Sequence, residues 1–354
     1  MQTLALADVE RLLEGHVDVR RRPGSIQPIR YPATEQLFYD PFTRWVASAP
    51  SGVRLRFKTN ARALYLKLNQ RVAAFNGEPR PAPYDLFIDG KPHKRRAANG
   101  GAALALDGGL VGDERATLDF EDLPAGDKHI ELWLPQSATV SIAAFEIDDG
   151  AACAPWPDTR RRILFHGSSI THCMEAETAA GAWPAVAAAL GDLAHINLGW
   201  GGSCLLSGLA ARIIRDQRAD AIVLKLGINV HGEGLLKERT FLDSAHAMLS
   251  IIREKHVTTP IVVISPIWSP PREDVGANGG LSLVRMRELL EAVVAARMKA
   301  GDANIRYLSG LALFGPADRA DLPDELHPNT AGYRLMGERF HKHFLSGSDP
   351  LIVA

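Results

Sequence analysis

Cysteine is scarce in this sequence, which has three among 354 residues: Cys153, Cys173 and Cys204. An odd and sparse set argues against a secreted scaffold held by disulfides, and the spacing matches no zinc site. We therefore expect a protein of a reducing compartment, the cytoplasm, with no structural metal.

An excess of charge of either sign is also lacking. Lysine and arginine number 40 and aspartate and glutamate 41, so the formal net charge is −1. Proteins that bind nucleic acid or acidic membranes through electrostatics carry a marked positive excess. We expect neither partner for this chain.

Long apolar runs are missing as well. No stretch approaches the roughly 18 residues of a membrane span. The opening "MQTLALADVERLLEGHVDVRRR" has early acidic residues and no apolar core of a signal peptide. The hydrophobic fraction of 46% is ordinary for a globular protein. At 354 residues, two domains are the expectation.

The front half, from about residue 27 to 150, has the alternating pattern of β-strands. In "GVRLRFKTNARALYLKLNQ", apolar residues alternate in 53–57 and again in 64–68, on either side of a turn at Thr59-Asn60. "YDLFIDGKPHKRR" predicts a strand and a turn at Asp89-Gly90, and "HIELWLPQSATVSIAAFEID" alternates again. Short strands separated by Gly, Asn and Pro predict a β-sandwich.

After the linker "GAACAPWPDTRRR" the pattern changes to strands that alternate with helices. The predicted strands are "RILFH", "AHINLG", "AIVLKLG", "PIVVISP" and "NIRYLSG". The predicted helices include "GAWPAVAAALG", "LAARIIRDQR", "FLDSAHAMLSIIREKH" and "LVRMRELLEAVVAARMKAG". This alternation predicts βαβ units and a parallel sheet.

Each predicted strand of the second half is followed by residues suited to acyl transfer. Ligands of open α/β sheets bind at the carboxyl ends of the strands. Those ends carry Gly167-Ser168-Ser169, then Gly199, Gly201 and Gly202, then Asn229 and His231, then Trp268, and finally Asp324 and His327. A hydroxyl nucleophile, a His base, a carboxylate and backbone or amide donors are the parts of an acyl-transfer site.

Each of these residues also has a purely structural explanation. A Ser after a strand can be a helix N-cap, and the glycines can make a tight turn or allow close helix packing. Asn229 can form a local turn, and His327 can cap a C-terminal helix that begins near Pro328. Trp200 and Trp268 are either pocket walls or core residues. The convergence of five strand ends favours the catalytic interpretation.

The second half resembles the SGNH, or GDSL-type, hydrolase family over roughly residues 160 to 345. Its Gly-Asp-Ser-Leu block corresponds to 167–170, its second-block glycine to Gly202, its Gly-x-Asn-Asp block to 227–230, and its Asp-x-x-His block to 324–327. The sequence departs from the pattern at Ser168, Gly201 and Val230, where the family has Asp, Ser and Asp.

The resemblance implies a flavodoxin-like three-layer α/β domain and assigns roles to particular residues. Ser169, His327 and Asp324 correspond to the catalytic triad. The backbone N–H groups of Ser169 and Gly202 and the side chain of Asn229 correspond to the oxyanion hole. Trp200, His231 and Trp268 are candidate pocket residues. No cofactor or metal is implied.

A weaker resemblance concerns the front half. "PYDLF" is similar to the signature of a GxDLY-type, jelly-roll-like β-sandwich that precedes the hydrolase domain in one branch of the family, although Pro83 and Phe87 replace the usual Gly and Tyr. We therefore predict a sandwich over 1–150 that contributes to substrate selection, and a catalytic domain over 151–354.

Three functions remain open from the sequence. The first is hydrolysis of a short-chain ester, with acetyl as the expected acyl group, of a carbohydrate or small-molecule alcohol. The second is acyl transfer to an alcohol acceptor of a natural product. The third, a non-catalytic carbohydrate-binding protein, conflicts with the intact set of Ser169, Asp324 and His327. The oligomeric state is left open.

Overall fold

The structure is a computed structural model, and it describes residues 1–75, 77–105, 107–348 and 350–352. The chain divides into two compact units. The first comprises Met1–Thr159 and Glu177–Ala180, and the second Arg160–Ala176 and Gly181–Ala354. The mixed fold class predicted from the sequence is confirmed, because the first unit is built from mainly antiparallel sheets and the second around a parallel sheet.

The first unit contains two sheets. Its strands are β1 (Gln2–Thr3), β2 (Leu13–Glu14), β3 (Asp18–Arg22), β4 (Ser25–Ile29), β5 (Arg54–Thr59), β6 (Leu64–Phe75), β7 (Glu78–Pro79), β8 (Pro83–Ile88), β9 (Lys91–Ala97), β10 (Asn99–Gly100), β11 (Ala102–Ala105), β12 (Leu110–Val111), β13 (Arg115–Phe120), β14 (Lys128–Trp133), β15 (Ala138–Ile147) and β16 (Cys153–Pro155). Its helices are α1 (Leu6–Glu10), α2 (Pro41–Ser48) and the 3-10 helix Ala33–Phe38.

The larger sheet, sheet A, has the order β10-β13-β6-β15-β4-β3, with β1, β7, β11 and β12 paired to it. The smaller, sheet B, has the order β16-β5-β14-β8-β9, with β2 paired to β5. Alternation of apolar residues places one face of each sheet in a common core. Leu55 and Phe57 of β5 and Leu66 and Leu68 of β6 are buried in it, and Phe57 meets Phe145 edge to face.

Strands begin earlier in the chain than the sequence indicated. The predicted β region started near residue 27, but β1 to β4 lie within Gln2–Ile29. β3 has the sequence DVRRR, in which Val19 alone is buried. The alternation of apolar and polar residues that indicates a strand is therefore absent from its sequence. The strand forms because it pairs with β4 at the edge of sheet A.

The linker is bound to the first unit as far as Asp158. β16 pairs with β5, and the Trp156 N–H donates to the Arg56 carbonyl at 3.1 Å. The Arg56 guanidinium lies 3.9 Å from the centre of the Trp156 ring. The Asp158 carboxylate pairs with Arg54 at 2.8 Å and with Arg56 at 3.2 Å, and all three side chains are buried. Residues 153–158 therefore belong to the packing of the sandwich.

The second unit is built around a parallel sheet. Its strands are β17 (Arg162–Gly167), β18 (Ala194–Gly199), β19 (Ala221–Lys225), β20 (Ile261–Ile264) and β21 (Ile305–Leu308). Its helices are α3 (Ser169–His172), α4 (Trp183–Leu190), α5 (Gly208–Asp216), α6 (Ile228–Glu233), α7 (Glu238–Arg253), α8 (Leu283–Lys299) and α9 (Thr330–Phe344). Short 3-10 helices occupy Ala179–Gly181, Pro270–Arg272, Ala277–Gly279, Gly310–Ala312 and Pro316–Asp321.

The strand order β18-β17-β19-β20-β21 is the flavodoxin-like order 2-1-3-4-5. β18 and β19 flank β17 on opposite sides, so right-handed crossovers send α4 to one face and α5, α7 and α8 to the other. α4 packs with α9, and α5 and α8 each pack with α7. The strand order reverses between β17 and β19, and sheets of this type bind ligands at the carboxyl ends of the strands beside that point.

Within the described residues, no helix is both long enough and apolar enough to cross a membrane.

Candidate active site

The two serines after β17 occupy different structural positions. β17 is buried from Ile163 onward, and the chain turns into α3 directly after Gly167. Ser168 is the N-cap of α3, and its Oγ accepts a hydrogen bond from the Ile170 N–H at 3.2 Å. Ser169 is the first helical residue and remains partly accessible. The N-cap explanation therefore applies to Ser168 and leaves the hydroxyl of Ser169 available for chemistry.

Glycine is required where α3 rests on the strand ends. A Cβ on Gly199, at the end of β18, would lie 2.2 Å from the backbone nitrogen of His172. A Cβ on Gly167 would lie 2.3 Å from Thr171 Oγ1. Both distances are far below van der Waals contact, so these glycines let α3 approach the sheet and fix the position of Ser169.

His327 and Asp324 lie next to Ser169 in space. The Ser169 hydroxyl is 2.8 Å from Nε2 of His327, and Nδ1 of His327 is 2.7 Å from Oδ2 of Asp324. With Nδ1–H donating to the carboxylate, Nε2 is the acceptor for the Ser169 proton. The three side chains predicted as a triad from the sequence thus form one continuous chain of hydrogen bonds.

The turn that carries Asp324 and His327 is shaped by its own hydrogen bonds. Oδ1 of Asp324 accepts from the N–H of Leu326 at 3.0 Å and from the N–H of His327 at 2.6 Å. Glu325 has a φ of 59°, the left-handed conformation that bends the chain back. α9 begins after this turn, with Asn329 as its N-cap and Thr330 as its first residue. The helix therefore starts later than the predicted Pro328, and His327 is not its cap.

The electrostatics of the turn favour an ionised Asp324. Partial burial opposes ionisation, but hydrogen bonds from the ring and the N–H of His327 and from the Leu326 N–H outweigh it, and they hold the pKa of the Asp324 carboxyl well below its usual range. The Asp324 side chain is 53% exposed and the His327 side chain 18% exposed. A carboxylate that stays charged can stabilise a protonated imidazole.

A second layer of hydrogen bonds holds the turn from the β20 side. Ser269 is buried, and its Oγ donates to the Glu325 carbonyl at 2.6 Å. The Ser269 N–H donates to Glu273 at 2.9 Å, and Glu273 is clamped by Arg287 of α8 at 2.6 and 2.9 Å. Arg287 also donates to two carbonyls of the loop after β20. A chain of contacts therefore runs from α8 to the turn of Asp324 and His327.

The predicted oxyanion donors lie at the ends of β18 and β19. Oδ1 of Asn229 accepts from the Cys204 N–H at 3.1 Å, which orients the amide and leaves Nδ2 to donate elsewhere. Gly202 has a φ of +71°, a conformation that favours glycine, and it lies in the turn after β18. Its neighbour Gly201 lies against Ser169, because a Cβ on Gly201 would be 3.5 Å from the Ser169 Cβ. The glycine turn is therefore directly beside the serine.

The three candidate pocket residues have different surroundings. Trp200 is buried and meets His166 edge to face at 5.7 Å. His231 is buried, and its Nε2 donates to the Val275 carbonyl at 2.8 Å. Trp268 is half-buried, with the Arg319 guanidinium 5.9 Å from its ring centre. Arg319 and Asp324 line a common cavity, so Trp268 is connected to the triad turn through Arg319.

The buried thiols near the site are poorly suited to act as nucleophiles. Burial raises the pKa of the Cys204 thiol to about 12 and that of Cys173 well above the ordinary value. All three cysteines lie in the described ranges, and none forms a disulfide. In the same part of the chain, no group of three or more His, Cys, Asp or Glu side chains is placed to hold a metal ion.

Sequence reasoning did not find Lys225 or Ser269. Lys225 ends β19 and is buried, and its Nζ has no hydrogen-bond partner among the described residues. Burial lowers the pKa of its amine to about 8. Lys225 could have been noticed in the sequence, because it is a charged residue at the end of an otherwise apolar strand. Ser269 lies in a proline-rich loop without periodicity, so its contact with Glu325 had no sequence signature.

Comparisons with known proteins match both parts of the chain. Residues 165–335 match the GDSL-like lipase/acylhydrolase family, and residues 12–143 match the N-terminal domain of SsfX3. The matches confirm the branch predicted from the sequence: a GDSL-like lipase/acylhydrolase domain of the SGNH type, preceded by an N-terminal domain like that of SsfX3. It is an enzyme of this type, and both the esterase and the acyltransferase interpretations are supported. No curated protein sequence matches the chain significantly.

Solved structures of similar proteins cover both units. A salicylyl-acyltransferase, SsfX3, from a tetracycline biosynthetic pathway is 29% identical over 93% of this chain and 92% of its own, with a TM-score of 0.82. A GDSL-like lipase from Bacteroides ovatus is 19% identical over 97% and 96%, with a TM-score of 0.74. A family two carbohydrate esterase from Clostridium thermocellum is 17% identical over 86% and 95%, with a TM-score of 0.61. The last two establish similarity of fold.

Three departures from the SGNH hydrolase pattern have simple structural consequences. Ser168, in place of Asp, still caps α3 through its side-chain oxygen. Gly201, in place of Ser, brings the glycine turn close to Ser169. Val230, in place of Asp, is buried in α6. None of the three provides an atom of the hydrogen-bonded chain from Ser169 to Asp324.

Proposed function

We propose that this enzyme is a serine esterase that forms an acyl-enzyme on Ser169. Its proposed substrate is a short-chain ester, with acetyl as the acyl group, of a carbohydrate or small-molecule alcohol. The proposal depends on one observation, the unbroken series of hydrogen bonds from Ser169 to His327 at 2.8 Å and from His327 to Asp324 at 2.7 Å. A side-chain hydroxyl next to a base oriented by a carboxylate is the arrangement of an activated nucleophile.

The proposed reaction moves one proton back and forth through His327. Nε2 of His327 takes the hydroxyl proton while Oγ of Ser169 attacks the ester carbonyl. The bond to the alcohol oxygen then breaks, and His327 returns the proton to that oxygen, which leaves the acyl group on Ser169. Water repeats the sequence to release the acid, and Asp324 keeps its negative charge throughout.

The tetrahedral intermediate carries a negative oxygen that needs donors. We assign this role to the backbone N–H groups of Ser169 and Gly202 and to Nδ2 of Asn229. The hydrogen bond from the Cys204 N–H to Oδ1 of Asn229 supports the assignment. It identifies Oδ1 as the acceptor of this contact, so the Nδ2 group of Asn229 is the one that can donate to the oxyanion. Loss of one such donor typically removes about 2.7–4 kcal/mol of transition-state stabilisation.

Transfer to an alcohol acceptor is the second candidate function. Two similarities favour it. The chain is 29% identical to the salicylyl-acyltransferase SsfX3 over 93% of its length, and residues 12–143 match the N-terminal domain of that protein. The same acyl-enzyme serves both reactions, and they differ in whether water or an alcohol accepts the acyl group.

Activity on p-nitrophenyl esters of graded chain length, with and without alcohol acceptors, tests these proposals. Hydrolysis that is fastest for the acetyl ester and unaffected by acceptors supports the esterase. A new ester product, with faster turnover when an alcohol is added, supports the acyltransferase. Absence of both, in protein that is folded by circular dichroism, would contradict acyl transfer. EDTA is expected to leave the rate unchanged, because every step uses side chains and backbone groups of the chain.

The compartment is part of the same proposal. Cys173 and Cys204 are buried thiols and Cys153 is a partly buried one, which suits a reducing compartment such as the cytoplasm.

A further inference from the structure

The first unit contains a polar groove on the outer face of sheet A. Its volume is about 600 Å³, within the range of small-molecule sites. The groove is bounded by sheet A on one side and by α2 on the other, and Arg44, Trp45 and Ser48 of α2 line it. All of its lining residues belong to the first unit, and none of them is a residue of the proposed triad or oxyanion hole.

Strand register builds the floor of this groove. Asn69 of β6 is opposite Ser141 of β15, and Arg20 of β3 is opposite Gln27 of β4. These side chains point away from the core, because they alternate with buried residues such as Leu68 and Ile142. Ser141 and Gln27 are nevertheless only 8% and 6% exposed. A row of polar groups this well shielded from solvent is suited to hydrogen bonding with a ligand's hydroxyl groups.

Positive charge in the groove exceeds negative charge. Five arginines and one carboxylate, Glu114, line it. Arg71 pairs with Glu114 at 2.7 Å, and Arg21 pairs with Glu10 at 2.9 Å. Among the described residues, the other three arginines have no carboxylate partner; they are Arg20, Arg22 and Arg44. This excess is local, since the net charge of the whole chain is −1.

Arg20 is positioned without a counter-charge. Its guanidinium donates to Oε1 of Gln27 at 3.1 Å and to the hydroxyl of Tyr31, and both partners are neutral and buried. Its Nε is buried and has no hydrogen-bond partner in the described part of the chain. The half-buried Arg20 guanidinium is therefore oriented by neutral groups alone, and an anion bound in the groove would supply the counter-charge that these groups lack.

We propose that this groove binds a hydroxylated small molecule that bears a carboxylate or phosphate group. Arg20 and Arg44 would hold the anionic group, because a guanidinium matches the geometry of both anions. The amide and hydroxyl groups of Asn69, Gln27 and Ser141 would hold the ligand's hydroxyl groups. Trp45 presents a half-buried ring on which an apolar face of the ligand can pack.

Isothermal titration calorimetry on the full chain tests this proposal with three probes: glucuronate, glucose 6-phosphate and neutral glucose. At least one of the two anions is expected to bind more tightly than glucose by about tenfold or more, and its affinity should fall with added salt. Comparison of the two anions tells whether a carboxylate or a phosphate is preferred. Failure of both anions to bind, or equal binding of glucose, would overturn the proposal.

Matched variants locate the binding site. Arg44→Ala and Arg20→Gln are each expected to weaken binding of the better anion by about tenfold. Arg44 is the safer test, because Arg20 also contacts buried groups. Arg96→Ala, an exposed residue of β9 in sheet B, and Ser169→Ala are expected to leave affinity unchanged. Unchanged affinity in both groove variants, or loss of binding in Ser169→Ala, would place the anion elsewhere.

Discussion

The two serines at the end of β17 show how closely a structural and a catalytic position can be spaced. The sequence offered an N-cap and a nucleophile as competing explanations for this turn. Ser168 is the cap, since its Oγ accepts a hydrogen bond from the Ile170 N–H, and Ser169 contacts His327, the proposed base. Replacing Ser168 removes a cap that is worth about 1 kcal/mol, whereas replacing Ser169 removes the proposed nucleophile.

The state of Asp324 predicts a simple pH dependence. Its pKa lies well below the usual range, so the carboxylate remains charged while a histidine titrates. We expect kcat/KM for ester hydrolysis to fall with one acidic limb, at about pH 6 to 7, because a protonated imidazole cannot accept the Ser169 proton. Initial rates from about pH 5 to 8 measure this, and a flat profile would remove His327 from the role of base.

Lys225 predicts a stabilising substitution. Burial lowers the pKa of its amine from 10.5 to about 8, so below pH 8 the folded state carries a desolvated charge that the unfolded chain keeps in water. Lys225→Met should raise the free energy of unfolding at pH 7 by up to roughly 3 kcal/mol. The gain should shrink as pH rises from about 8 to 10.5, where the lysine itself becomes neutral in both states.

Urea unfolding of both proteins at neutral and alkaline pH measures this difference. A Met variant that is less stable at pH 7 would show that the ammonium makes favourable contacts that its burial conceals.

At the level of elements, the triad depends on the loop after β20. Asp324 and His327 lie on an irregular segment, and the Ser269 hydroxyl holds its central carbonyl, that of Glu325. Arg287 of α8 clamps Glu273, which holds Ser269. The helix therefore determines where the turn lies, although it provides no atom of the triad itself.

Ser269→Ala tests the importance of this support. We expect kcat to fall by about tenfold with little change in KM, because a displaced turn misaligns His327 with Ser169. Ser207→Ala is the matched control, because Ser207 caps α5, outside the contacts that hold the turn, and its loss also costs about 1 kcal/mol of stability. An unchanged kcat in Ser269→Ala, or an equal loss in the control, would contradict a positioning role.

The sequence predicted elements better than contacts. Strands β17 to β21 and the long helices have apolar periods that are clear in one sequence, and the polar residues at strand ends followed from the parallel sheet. β1 to β3 and the Ser269 contact were missed, because β1 and β2 have only two residues each, β3 buries Val19 alone, and loop hydrogen bonds have no periodic signal. Trp200 shows the same limit, since its spacing did not reveal that it packs on His166.

At the level of the whole molecule, the chain does not separate into two units at one point. Residues 153–158 pack on sheet B through Trp156 and Asp158. Residues 177–180 group with the first unit, although the chain on both sides of them groups with the second. Arg95 of β9 pairs with Glu177 of this segment. A division after residue 150 or 159 would therefore leave behind segments that belong to the first unit.

Deletion of residues 1–150 is expected to give an insoluble protein or one with altered substrate preference. Trp156 would lose the Arg56 guanidinium, and Asp158 would lose both of its arginine partners. Solubility and kcat/KM across a panel of esters, compared with the full chain, measure the effect. A soluble 155–354 fragment with unchanged kinetics would make the front half a separate binding module and remove it from substrate selection.

Labelling with a fluorophosphonate probe shows directly whether Ser169 is the nucleophile. The probe forms a stable adduct with an activated serine, and peptide mass spectrometry then locates the label. We predict one label on the peptide that contains Ser169, present in Ser168→Ala and absent in Ser169→Ala. A label on another residue, or equal labelling of the Ser169→Ala protein, would show that Ser169 is not the nucleophile.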